Sequence, residues 1–359
     1  MNEPDRAWVA SRKGLIELRR RGGAWALERT HFLGDPVSAV LPPGADGRML
    51  AALNLGHFGA KLHRSDDGGT TWVEVAAPAY PEQPEGAAGP AWKLQQVWTL
   101  EAAHGRVWAG TLPGGLFRSD DFGASWALQR GLWDRPERLE WFGGGYDVPG
   151  VHSVCPHPQR PDEVLVGISC GGAWTTRDGG ATWALTAAGM RADFMPPEHQ
   201  HNPNTQDPHR IVRCPAAPEV LWCQHHGGLW KSADGGARWQ EVTGAPVSSF
   251  GFAVAVHPQD PDTAWFVPAT ADQCRVPKDG ALVVNRTRDG GRRFETLRAG
   301  LPQAHCYDLM YRHGLAVGAD GQTLLMGSTT GGLWASADGG DRWQTVSLNL
   351  PTVYAVALG

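Results

Sequence analysis

The sequence predicts an all-β protein: a single seven-bladed β-propeller over residues 1–359, closed by strands from both termini that share one blade. Three observations predict it. The turn pattern S/T-x-D-x-G-x-x-W/F occurs six times, its aromatic anchors recur at a near-constant interval, and short strand-like runs punctuated by Gly, Pro and Asp fill the intervals. The 47 Gly, 27 Pro and 17 Trp residues describe a turn-rich chain with many large aromatic anchors, which argues against a long helical bundle.

The six turns are Ser65-Asp67-Gly69-Trp72, Ser119-Asp121-Gly123-Trp126, Thr176-Asp178-Gly180-Trp183, Ser232-Asp234-Gly236-Trp239, Thr287-Asp289-Gly291-Phe294 and Ser336-Asp338-Gly340-Trp343. In each, short hydroxyl and carboxylate side chains accept backbone N–H bonds, Gly supplies a positive φ, and the aromatic opens the return strand and packs inward. These Asp residues read as structural devices. Trp25, after Gly22-Gly23, marks a degenerate seventh copy, and the anchor spacing runs from 47 residues (Trp25 to Trp72) to 57 (Trp126 to Trp183).

Within one unit, Gly150 to Cys155 reads as the innermost strand, Glu163 to Ile168 as the second, Gly172 to Thr176 as the third and Thr182 to Leu185 as the outermost. Four short strands per period describe a propeller blade. The run from Val353 to Leu358 then supplies the inner strand of a blade completed by 8–11, 15–18 and 24–27, which removes an exposed sheet edge.

The repeated turn resembles the Asp box, or BNR repeat, and the chain is similar to the bacterial sialidase-like and glycosyl-hydrolase-like propellers. The same box occurs in xyloglucan-degrading hydrolases, sortilin-type receptors and photosystem II assembly factors, so the resemblance speaks to fold and leaves activity to the site. Sialidase resemblance would imply three carboxylate-gripping Arg residues, a Tyr nucleophile with its Glu, an Asp acid/base and an N-terminal Arg-Ile-Pro. This chain reads Ser11-Arg12-Lys13-Gly14-Leu15-Ile16 there, and it has seven repeats rather than the six blades of sialidases. An ordinary glycosidase needs two carboxylates flanking the scissile bond. The loop candidates are Asp134, Glu140, Asp147, Asp193, Glu198 and Asp207.

Composition narrows the other classes. A net charge of −5 offers no basic excess for a phosphate backbone, so a nucleic-acid partner is not expected. No apolar stretch reaches membrane-span length, the N-terminus lacks a signal pattern, and six scattered cysteines without a CxxC pair suit reduced thiols. No membrane partner and a cytoplasmic location are expected.

Chemistry concentrates in three long inter-blade connections, 77–95, 130–150 and 187–208, at the mouth opposite the Asp boxes. The third holds Glu198, His199, His201, Asp207, His209 and Arg210, and His225 and His226 follow in the same blade. His209 lies five residues before Cys214 as His152 lies five before His157, so both imidazoles are expected to face one mouth, with His57 in the corresponding loop of an earlier blade. We read His152, His209, Asp207 and Glu198 as catalytic candidates. His199, His201, His209, His225 and His226 are candidate ligands for one divalent ion (Zn, Fe or Mn) that would activate water or polarise a substrate. Arg210, His57, Trp98, Trp141 and Arg275 are candidate ligand-binding residues, the indoles as stacking surfaces and the cations for an anion. Hydrogen bonding to backbone carbonyls is the structural alternative for these histidines. The expected function is binding of a small polar or anionic ligand in a His-rich pocket, with metal-assisted hydrolase or lyase chemistry. The alternatives are a sialidase-like glycoside hydrolase and a non-catalytic scaffold that binds a protein on its top face.

Overall fold

A computed structural model describes residues 4–359 and contains seven four-stranded antiparallel sheets arranged as the blades of a ring. Blade 1 is assembled from both chain ends: Val353–Leu358 is its innermost strand and pairs with Arg6–Ser11, followed by Gly14–Arg21 and Ala24–His31. Val9 faces Val356 in that pairing, so the ring is closed by backbone hydrogen bonds between segments at opposite ends of the chain. The inner strands of blades 2 to 7 are Val37–Leu41, Gln96–Ala103, Val151–Pro156, Pro208–Arg213, Gly251–Val256 and Leu315–Val317. The unit analysed above resolves into Val151–Pro156, Val164–Ile168, Gly172–Thr176 and Ala184–Leu185, with an outer strand two residues shorter than expected.

The six repeated turns share one hydrogen-bond scheme. Ser119 Oγ donates to Asp121 Oδ1 (2.7 Å) and accepts the Gly123 N–H (2.7 Å), while Asp121 Oδ1 accepts the Ser125 N–H (2.8 Å). Ser125 side-chain and backbone hydrogen bonds, with Ser119, hold the Asp121 carboxyl down at about 2. The turns also staple neighbouring blades. Arg6 of blade 1 donates to the Gly68 carbonyl of blade 2 (2.6 Å), Arg118 of blade 3 to Gly179 of blade 4 (3.1 Å), and Trp265 of blade 6 to Gly339 of blade 7 (2.8 Å). Every acceptor is a glycine carbonyl inside a repeated turn, so the turn joins blades as well as strands.

The inner three strands of the blades are mostly buried and the outermost is mostly exposed, the pattern of sheets packed face to face around an axis. Trp8, Trp108, Trp174, Trp222, Trp265 and Trp334 are among the largest fully buried side chains and fill the wedges between blades. The long connections lock onto one another above the ring. Trp92 meets Trp133 edge to face (5.3 Å), Arg138 lies over Trp133 (3.9 Å), and Tyr80 bonds Thr111 Oγ1 (2.6 Å) and the Gly115 N–H (2.9 Å). The connection 130–150 contains an α-helical turn, Arg130–Trp133, and a 3-10 turn, Pro136–Glu140, where the sequence suggested only loop. Among the described residues, no helix is long and apolar enough to cross a membrane.

Candidate functional site

Six inner strands carry a β-bulge at the same place, two or three residues from the start, where the chain enters the upper end of the channel. The register shifts fall around Ser38, Trp98, His152, His209, Phe252 and Tyr354. A bulge leaves one residue outside the pairing and re-aims its side chain. Repetition around the ring therefore gathers six side chains at the upper end.

The axial channel holds two cavities. The upper one, about 420 Å³, is lined by Ser38, Asn54, Gln96, Trp98, Tyr146, Phe252, Arg275, Tyr311, Arg312, His313 and Tyr354, among others. The lower one, about 580 Å³, is lined mainly by aliphatic inner-strand residues, with Arg48, Glu101, Arg210 and Arg213 as its charged groups. Trp98 and His313 line both and form the partition. Two donors converge on the His152 carbonyl at this level: Arg210 Nη1 (3.0 Å) and His313 Nε2 (2.8 Å).

Arg312 is the dominant group of the upper cavity. It is 6% exposed, lies over Trp98 (4.9 Å) and Phe252 (5.4 Å), and donates one hydrogen bond, from Nη2 to the Gly144 carbonyl (3.0 Å). Its Nε has no partner, and among the described residues no carboxylate reaches it within ion-pair distance. Burial pulls its guanidinium below the ordinary Arg value, with Asp207 opposing that pull. Arg275 stands at the rim, 5.3 Å over the Phe252 ring and paired with Asp272 (2.5 Å).

Beside this cavity, Asp207 sits 2% exposed between two imidazoles, with Oδ2 3.3 Å from His209 Nε2 and 3.4 Å from His226 Nδ1. Its Oδ1 accepts the Cys170 N–H (3.1 Å). Burial pushes the Asp207 carboxyl up, but His209, His226 and Arg312 outweigh it and hold the group ionised. His209 is stacked on Phe252 (4.4 Å, 15°), and burial favours its neutral form. Gly144 covers the carboxylate. A Cβ there would stand 2.9 Å from Asp207 Oδ1 and 3.1 Å from Cys170 Sγ, so only glycine lets the connection pass.

The remaining sequence candidates distribute as follows. His152 is fully buried, donates or accepts at Ser153 Oγ (2.9 Å), and has an unpartnered Nε2. Trp98 and Arg275 line the upper cavity, whereas Arg210 lines the lower one. Several expectations need correction. Trp141 is core, 5% exposed, its indole N–H donating to Asn204 Oδ1 (2.8 Å), so it presents no stacking face to a ligand. His225 is fully buried with both ring nitrogens facing backbone N–H groups, of Asp207 (3.1 Å) and Gly227 (3.0 Å), which leaves no lone pair for an ion. Glu198, His199 and His201 are exposed and stand outside the Asp207 cluster. His57 is exposed against Phe58, and Gly56 rather than His57 reaches the cavity wall.

Arg312, His313, Phe252, Tyr146 and Tyr311 were not picked out from the sequence. For Phe252 a signal existed: it lies five residues before His257, the same count that aligned His152 and His209. Arg312 and His313 precede a three-residue strand in the least regular blade, and no repeat count reaches them.

The ring is a known β-propeller architecture. A GH74 xyloglucanase from Xanthomonas campestris superposes with a TM-score of 0.68 at 20% identity, covering 96% of this chain and 53% of that one. This chain thus spans about half the length of that enzyme. YCF48 bound to D1 peptide superposes with a TM-score of 0.55 at 14% identity, covering 94% of this chain and 88% of that one. YCF48 from Cyanidioschyzon merolae gives 0.55 at 12% identity, over 89% and 87% of the two chains. At these identities the likeness is one of fold. No family model and no curated protein sequence matches the chain.

Proposed function

We propose that this propeller binds a small anionic ligand, with a carboxylate-like group, in the upper channel cavity. The observation that carries the reading is Arg312: a buried guanidinium that no carboxylate among the described residues reaches within ion-pair distance, its Nε unpartnered, in the wall of a cavity of about 420 Å³. A buried charge is costly unless paired, and an anion held by Arg312 from below and Arg275 from the rim would supply the pair. Asn54, Gln96, Tyr146 and Tyr311 offer neutral polar contacts, and Trp98 and Phe252 offer apolar walls. Such a mixture is typical of small-molecule pockets.

Among the described residues no Asp or Glu lines this cavity, which weighs against a paired-carboxylate glycosidase there despite the GH74 fold likeness. A second reading, a protein-binding platform, is favoured by exposed aromatics on the connections around the upper mouth, Phe58, Phe142, Tyr146, Phe194 and Tyr307. YCF48 bound to D1 peptide is a propeller of similar fold in complex with a peptide. We also place the chain with the Asp-box propellers, on the six turns and their shared hydrogen bonds, and in a reducing, cytoplasmic compartment, on six unpaired cysteines of which five are buried.

Calorimetric titration of the full chain with carboxylates, sugar acids, sulfate and phosphate tests the reading. Saturable binding that is lost in Arg312→Met and weakened in Arg275→Ala is expected. Equal behaviour of wild type and Arg312→Met toward every anion would overturn it, and binding restricted to peptides would favour the second reading.

A further inference from the structure

The Asp207 cluster contains an electrostatic conflict that a proton resolves poorly. His209 Nδ1 lies 2.6 Å from the Gly251 carbonyl oxygen. A carbonyl only accepts, so Nδ1 carries the hydrogen, and the Nε2 of a neutral ring then turns its lone pair toward Asp207 Oδ2, 3.3 Å away. His226 Nδ1 approaches the same oxygen at 3.4 Å. The His209 Nε2 and Asp207 Oδ2 lone pairs face one another in a buried site, and a cation between them relieves that repulsion.

A proton on His209 would create an imidazolium–carboxylate hydrogen bond, for which about 2.7–2.9 Å is expected. Both observed separations are longer. The two separations at Asp207 are close to the edge of a tetrahedron whose ligands sit 2.0–2.1 Å from its centre, roughly 3.3 Å, while the two imidazole nitrogens, within 4.8 Å, would draw together on loading. The outer contacts are also those of metal ligands. A metal-binding imidazole donates its other N–H to a carbonyl or carboxylate, as His209 does to Gly251, and a metal-binding carboxylate is itself hydrogen-bonded, as Asp207 is by the Cys170 N–H.

We propose that Asp207 Oδ2, His209 Nε2 and His226 Nδ1 form a mononuclear site for a first-row divalent cation such as zinc, with water in the fourth position. The three residues offer ligand atoms within 4.8 Å of one another, and His226, whose side chain is 24% exposed between Phe194 and Phe250, is the one free to swing inward and close the site. Three protein ligands with one open position is the composition of a site that activates bound water. None of the three residues lines the Arg312 cavity, so the site does not depend on the anion-binding reading.

The test uses the full chain after tag removal, stripped with chelator and titrated with Co²⁺ and then Zn²⁺. One equivalent of Co²⁺ should bind with the intense visible bands of a tetrahedral centre, be displaced by one equivalent of Zn²⁺, and raise the Tm on loading. His226→Gln, at the exposed ligand, should keep the circular dichroism spectrum and weaken binding by at least about tenfold, as losses around metal sites do. His199→Ala with His201→Ala should leave binding unchanged. Absence of saturable Co²⁺ binding, full retention of it in His226→Gln, or a His209 ring protonated at both nitrogens in metal-free protein that takes up no metal would overturn the proposal. Anion titration of the same stripped protein reports on the Arg312 cavity separately.

Discussion

Arg312 Nη2 donates a 3.0 Å hydrogen bond to the carbonyl of Gly144, 168 positions earlier in the chain and on the opposite side of the ring's mouth. Through this contact the last blade holds the glycine loop that covers Asp207. The anion cavity and the carboxylate cluster therefore share a wall, with Arg312 on one side and Gly144 on the other.

Replacing Arg312 should act on both sides. Arg312→Lys keeps a charge but loses the planar fork and the stacking on Trp98 and Phe252, so anion affinity should fall by about tenfold or more and the 142–146 loop should loosen. Titration calorimetry and amide hydrogen exchange of Gly143–Tyr146 measure the two effects. Unaltered exchange would sever the proposed link.

Gly144→Ala should be disruptive although alanine is the smallest change available. The added methyl would lie 2.9 Å from Asp207 Oδ1 and 3.1 Å from Cys170 Sγ, neither at the end of a flexible chain. Overpacking of this kind costs about 1–3 kcal/mol. Thermal denaturation checks the figure, and an unchanged Tm would mean that the loop stands off the carboxylate.

Ser119→Ala removes the hydroxyl that accepts the buried Gly123 N–H and donates to Asp121. Leaving a buried N–H unpaired costs about 1–3 kcal/mol. Denaturant unfolding should show a lower midpoint with an unchanged slope, as expected for loss of a structural turn with the fold retained.

His152 is buried and His313 partly so, and desolvation holds each well below the ordinary 6.5. Above 6.5 the unfolded chain leaves both neutral, as the native state does, and they add no pH dependence. As the pH falls through 6.5 the unfolded state gains protons that the native state refuses, so stability declines. His313→Gln preserves a donor to the His152 carbonyl without a titrating group and should flatten the decline between pH 6.5 and 4.5. Chemical denaturation across that range measures it.

Deleting residues 353–359 should abolish cooperative folding. Arg6–Ser11 would lose its inner partner, the ring would open at a bare edge, and Val353 and Val356 would leave the cluster formed with Val9, Leu325 and Leu333. Size-exclusion chromatography and circular dichroism of the truncated chain check this.

Repetition made most of the fold legible. Six copies of one turn and seven aromatic anchors define the blades, and the hydroxyl, carboxylate, glycine and indole of each copy act within eight residues, a range over which local sequence dictates backbone geometry. Blade closure was legible for the same reason, since only a terminal strand could complete the degenerate first unit. The site was legible where it followed the repeat, as for the shared register of His152 and His209, and illegible where it did not. Trp141 and His225 look like functional residues by type and place, yet Asn204 and two backbone N–H groups take up their polar atoms.

The sequence alone was enough to set the ring, its turns and the end of the channel where chemistry collects, because these depend on local patterns repeated at a fixed interval. Only the tertiary structure could bring Arg312 over Trp98 and Phe252 beneath Gly144, or set Asp207 Oδ2 between His209 and His226. Those contacts join residues up to 168 positions apart through irregular connections, where no period relates one position to another and bulges and side-chain packing alone decide which groups meet.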